Sequence, residues 1–232
     1  MSAHLEVVAY GDAGLLVAVR HPEREQRWVT AQAIAAALAR TPPPGLVDVV
    51  ATYEDVFVAF DPLSTDHEAI SDAIRGADLA TDEPPAARTF TVPVLYGGEH
   101  GPDLADVADG LGLSASELVE RHASAAWTVR FRGSPAATPF MDGPAWPRSV
   151  PRMRDPRTAV PPGSVALSGQ QCAVYTVQSP GGWRLIGRTP LGFVDRTRDD
   201  LVPYRPGDVL RFVAVDRDRF DELADSLLEP DP

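Results

Sequence analysis

Eight prolines fall within residues 133–163 of the chain, a run of 31 positions. Proline fixes φ and has no N–H to give, so neither a helix interior nor a central strand passes easily through such a run. The sequence therefore predicts a long structureless segment there, a feature uncommon in compact domains and usually functional or mobile. A second break lies at Thr81-Asp-Glu-Pro-Pro-Ala-Ala-Arg88, where Pro84-Pro85 continues neither a helix nor a central strand. It predicts a domain boundary near residue 86, with one domain at 1–85 and another at 86–232.

The two halves carry different patterns. Residues 5–20 alternate around a Gly11-Asp12 turn and read as two strands, the second from Leu15 to Val19. Trp28, Ala31, Ile34, Ala35 and Leu38 have helical spacing within 23–40, and Pro42-Pro43-Pro44-Gly45 ends that helix. Strands at 47–52 and 56–60 and a helix at 66–76 complete the order ββαββα, which predicts two helices on one face of an antiparallel sheet. The second half opens with a strand at 90–96 and a helix after Pro102. A helix follows from Ser114, which stands three residues before Glu117 as in a capping box. Strands follow at 127–131, 164–168, 172–177, 183–187 and 208–215, with a closing helix at 218–228. Many short strands between Gly and Pro turns point to a barrel or sandwich. The fold class is α+β, a small α/β sandwich followed by a β-rich domain.

Charge narrows the chemistry. All 21 basic residues are arginine, against 33 acids, for a net charge of −12. The total argues against nucleic acid or an anionic membrane as the main partner. Without lysine there is no Schiff-base, P-loop or general-base lysine. The total hides an asymmetry: residues 121–188 hold nine arginines and two acids, while the rest holds 12 arginines and 31 acids. Arg148, Arg152, Arg154 and Arg157 cluster within the proline-rich run, which points to a small anion or an acidic partner face. The single cysteine, Cys172, excludes an internal disulfide or a thiolate zinc site and reads as a buried structural residue. No metal-ligand spacing is present. Neither a signal peptide nor a membrane span is predicted, so the expected location is cytoplasmic.

Several residues are candidates for a site. Gly97-Gly98-Glu99-His100-Gly101-Pro102, between a strand and a helix, would let backbone N–H groups approach a ligand. His122, near a helix end, either complements that end or serves as a proton shuttle. Gln170 and Gln171 offer amides suited to an amide or lactam, although adjacent strand residues point to opposite faces. Arg184 and Arg188, four apart, are expected on one side of a regular strand.

These motifs follow one another in an order that is recognisable: Gly97 to Leu104, His122, Pro156-Arg157-Thr158, Val160-Pro161, Gly163-Ser164-Val165, Gly169-Gln170-Gln171, Ser179-Pro180-Gly181-Gly182-Trp183 and Ile186-Gly187-Arg188-Thr189-Pro190. With Gly11-Asp12 and Leu15-Leu16, they resemble the family of the 5-oxoprolinase B subunit. It is also known as allophanate hydrolase subunit 1, carboxyltransferase subdomain C/D or KipI-type. The resemblance implies a cyclophilin-like β-barrel as the second domain, C and A subunits as partners, and ATP-dependent opening of the lactam of 5-oxoproline to glutamate. ATP is then expected at a site shared with or supplied through a partner. Branches of the family imply two alternatives, inhibition of a histidine kinase and carboxyl transfer in allophanate or urea metabolism. On this resemblance Arg157 and Arg188 are expected as anion ligands, Gln170, Gln171, Gly181 and Gly182 as substrate contacts, and His122 as the proton shuttle. One stretch departs from the family: its Gly-Phe-x-Pro-Gly-Phe-x-Tyr-Leu loop stands here as Gly133-Ser134-Pro135-Ala136-Ala137-Thr138-Pro139-Phe140-Met141.

Overall fold

A computed structural model describes residues 3–79 and 86–232. Most of the proline-bearing link around Pro84-Pro85 lies outside them. The chain divides into two compact units, 1–86 and 87–232. The first runs β1 (His4–Ala9), β2 (Gly14–Arg20), α1 (Arg24–Arg40), β3 (Leu46–Ala51), β4 (Asp55–Phe60) and α2 (His67–Arg75). Its antiparallel sheet has the order β1-β2-β4-β3. Alternation places Leu15, Val17, Val19, Val56, Val58 and Phe60 on one face, where they close a core with Ala31, Ile34 and Leu38 of α1 and Ile70 and Ile74 of α2.

The second unit contains β5 (Thr89–Tyr96), α3 (Leu104–Leu111), α4 (Ala115–Ala123), β6 (Ala126–Gly133), β7 (Thr138–Asp142), β8 (Arg157–Val160), β9 (Ser164–Ser168), β10 (Gln171–Val174), β11 (Ser179–Gly181), β12 (Arg184–Arg188), β13 (Val209–Ala214) and α5 (Arg217–Glu222). Seven strands close a barrel in the order β10-β7-β6-β13-β5-β12-β9. Its interior is filled by side chains such as Phe90, Val92, Val94, Trp127, Met141, Leu167, Ile186 and Phe212. β8 and β11 pair as a separate ribbon. A second cluster of Val160, Ala166, Ala173, Tyr175, Trp183 and Leu185 joins residues of this region to barrel strands. Ser114 and Glu117 form the expected capping box at α4.

Two expectations are corrected. The proline-rich run is not structureless: β7 and β8 lie within it. The closing helix spans only Arg217–Glu222, after which Leu227 bridges Gly192. No described helix is long and apolar enough to cross a membrane, and the described residues hold no cluster of potential metal ligands.

Candidate functional site

The site is organised by Asp103, at the start of α3. Asp103 occupies the N-cap position, yet its side chain makes no bond to its own helix. Its carboxylate instead accepts from Arg157 Nη1 and Nη2, at 2.9 and 2.9 Å, and from the Leu185 backbone N–H at 2.7 Å. The Asp103 N–H returns a bond to Leu185 O at 3.0 Å, and the Gly97 N–H bonds Ile186 O at 3.0 Å. The loop 97–103 is thereby pressed onto β12. Gly101 makes that approach possible, since a Cβ there would overlap the Ile186 carbonyl.

Arg184 stands beside this hub. Its Nε donates to Pro151 O at 3.3 Å and its Nη1 lies 3.9 Å from Asp103. Among the described residues nothing accepts from its Nη2. Its side chain forms one wall of a cavity of about 70 Å³ between Asp106, Val107, Gly110 and Leu111 of α3 and the segment Ser149-Val150-Pro151. Val107, Leu111 and Val150 are buried. The cavity thus offers an apolar floor with the Asp106 carboxylate at one side and an incompletely paired Arg184 guanidinium on its wall; the Arg184 end is suited to a small carboxylate with an apolar body.

Gly181 packs on Tyr175, and the charge of Arg157 acts on it. Gly181 has no room for a Cβ because the Tyr175 hydroxyl fills that space. Gly182 packs over Pro156, and its carbonyl accepts from the Met153 N–H at 2.7 Å. Burial raises the Tyr175 pKa above its ordinary value, opposed by a backbone hydrogen bond to Trp183 and by the charges of Arg152 and Arg157. Arg152 is exposed and forms no ion pair among the described residues. Replacing Gly181 with Ala is expected to displace Tyr175 and cost about 1–3 kcal/mol, read as a lower denaturant midpoint of the barrel unit.

The structure gives the expected site residues the following partners. Arg157 is no free anion ligand, because Asp103 engages its guanidinium fork. Gln170 is committed to the loop before it: Oε1 accepts from the Trp146 N–H at 2.7 Å, and Nε2 donates to Trp146 O and Arg148 O at 3.4 and 3.3 Å. Gln171 sits opposite Asp142 of β7 and Ser168 of β9. Arg188 donates from Nε to Pro162 O at 2.9 Å, and its charge acts on Glu99 and His100. It does not share the surroundings of Arg184, because β12 carries a bulge between Leu185 and Gly187 that breaks the two-residue alternation.

His122 is wholly buried. Its Nδ1 pairs with Tyr96 Oη at 2.7 Å and its Nε2 lies 3.4 Å from Cys172 Sγ. Burial pushes its pKa down to about 3 and pushes the Cys172 thiol up. An imidazole so enclosed is set apart from the surface, which disfavours the proton-shuttle role. Cys172 is buried, as its isolation in the sequence implied. Asp103 and Tyr175 were not singled out by the sequence, and Arg184 was named there without a role. The available signal was the place of Asp103 and Arg184 within or beside the ordered motifs.

Comparison with known proteins defines the class first. The family model of the carboxyltransferase domain, subdomain C and D, matches residues 5–204. The urea carboxylase of Kluyveromyces lactis superposes with a TM-score of 0.82 over 99% of this chain and 24% of that one; at 16% identity the likeness is one of fold. A crystal structure of TTHA0988 superposes with a TM-score of 0.76 at 32% identity over 88% of this chain, which spans only 41% of that longer chain. The chain is also 30% identical over 227 residues to the 5-oxoprolinase B subunit of Bacillus subtilis (strain 168), covering 93% of this chain and 95% of that protein. The chain belongs to the carboxyltransferase subdomain C/D family, that of the 5-oxoprolinase B subunit.

Proposed function

We propose that this protein is the B subunit of an ATP-dependent 5-oxoprolinase that works with A and C subunits. The observation that carries the reading is the cavity beside Arg184, next to the hub in which Asp103 ties the loop 97–103 to Arg157 and β12. 5-Oxoproline bears one carboxylate, one lactam and a short run of methylenes. Arg184 pairs with the carboxylate, and Val107, Leu111 and Val150 receive the methylenes. Opening the lactam with ATP and water yields glutamate, ADP and phosphate. Charge develops on the lactam oxygen as it is activated, and Arg152, unpaired beside Tyr175, is the nearby cation suited to stabilise it. A chain without lysine must hold nucleotide phosphates through arginine, backbone N–H groups or a partner, in keeping with an ATP site shared with or supplied through a partner subunit.

The test is co-expression with candidate A and C subunits, followed by measurement of 5-oxoproline-dependent ADP release. Arg184→Ala is expected to lower kcat/KM roughly 10–100-fold, the equivalent of losing a charged hydrogen bond of about 1.5–3 kcal/mol. Absence of turnover with every subunit combination, or an unchanged Arg184→Ala complex, overturns the reading.

A further inference from the structure

The face of the N-terminal sheet that turns away from α1 and α2 carries an apolar row across its middle, where an open antiparallel sheet is usually polar. Register pairs Val8 with Leu16, Leu16 with Phe57 and Phe57 with Val50. One unbroken apolar row therefore crosses all four strands. Tyr10, two residues beyond Val8, sets its ring edge on Phe57 at 5.7 Å. Val8 is 51%, Tyr10 64% and Val50 37% exposed, so the row is open. Acids flank it on both sides. Glu6, which pairs with Arg20 at 3.0 Å, and Asp55 lie in the next row on one side, across Ala18, and Asp48 lies opposite Ala59 in the next row on the other side.

We propose that this face docks a companion polypeptide, a separate chain that presents apolar side chains ringed by basic ones. The proposal rests on the multi-subunit reading above and adds the surface and its chemistry. Two features disfavour a second copy of this chain as the occupant. The acidic flanks would meet acidic flanks, in a unit whose residues 1–86 hold five arginines and 14 acids. The face is also small: strands about 4.8 Å apart, with same-face neighbours about 6.8 Å apart along each strand, give roughly 300 Å². A stable interface needs about 800 Å² per partner, so the occupant must be a chain that also grips other surface. The longer matched chain, of which this one spans 41%, carries additional polypeptide alongside the same fold.

The test measures binding of purified candidate A and C subunits to the full chain by calorimetry. Val8→Glu and Tyr10→Glu change exposed positions, and circular dichroism and the melting midpoint verify that each variant folds. Both are expected to weaken binding of one companion at least ten-fold. Leu63→Glu, 96% exposed and outside the sheet, is expected to bind within two-fold of the parent. Binding of both face variants within two-fold of the parent overturns the surface alone and leaves the multi-subunit reading standing on its ADP-release assay. A parent dimer that Val8→Glu converts to monomer in light scattering assigns the face to a second copy and overturns the proposal. A parent that binds neither companion and supports no ADP release overturns both.

Discussion

Asp103→Ala is expected to destabilise the barrel unit by about 3–5 kcal/mol, the largest loss of any single change at the site. Asp103 is 6% exposed, and the partners it would leave behind cannot reach water cheaply. Arg157 would lose both arms of a bidentate pair, and the buried Leu185 N–H would lose its acceptor. Breaking a partly buried ion pair from one side costs this much because a charge is stranded rather than because the pair itself is strong. At about 2–4 °C per kcal/mol for a chain of this size, the midpoint should fall by roughly 10 °C. Unfolding followed by tryptophan fluorescence reports mainly this unit, which holds Trp127, Trp146 and Trp183. Asp103→Asn should cost less, since an amide oxygen still accepts from Leu185. Removing Arg157 together with Asp103 should cost less than the sum of the two, because no unpaired guanidinium remains. A fall below about 1 kcal/mol in Asp103→Ala would show that the hub is solvated. It would also remove the argument that Asp103 holds the cavity wall in place.

The N-terminal unit was legible because its signals are local. Period-two strands and period-3.6 helices alternate between clear Gly and Pro stops, and the sheet and core follow from that order. β7 was not legible, because Pro139 stands inside it. The strand tolerates this proline because register with β10 begins only at Phe140, so Pro139 faces a partner on the β6 side alone. The site was legible in its motifs but not in its pairings. Arg157 and Asp103 are 54 residues apart, and no spacing rule reports that one will neutralise the other. The bulge in β12 adds one residue and so undoes the inference that Arg184 and Arg188 look the same way. The end of α4 at His122 was readable from the sequence. That α4 would drive His122 beneath Trp127 and Phe212 was not, because burial depends on which sheet the helix meets.

That burial makes acid the second large lever. His122 is enclosed by the rings of Trp127, Phe212 and Tyr96, at centroid distances of 4.9, 4.5 and 5.7 Å. Burial raises the Tyr96 phenol, which stays neutral; its hydroxyl pairs with Nδ1 at 2.7 Å, and Nε2 lies 3.4 Å from the Cys172 thiol. No carboxylate is in this chain of contacts to compensate an imidazolium. The folded pKa is about 3, whereas an unfolded histidine titrates near 6.5. Between those values the unfolded chain binds the extra proton. The stabilisation is therefore complete above about pH 6.5 and is lost as pH falls toward about 3, at roughly 1.4 kcal/mol per unit. By pH 5 the barrel unit should have lost about 2 kcal/mol from this residue alone. His122→Gln keeps a polar side chain but does not titrate. Its urea midpoint, although lower at pH 7, should change less than the parent's between pH 7 and 5. Carboxylates titrate alike in both proteins, so the difference in slope isolates His122. Equal slopes would mean that the imidazole reaches water in the folded state, and the case against His122 as a proton shuttle would fall with that result.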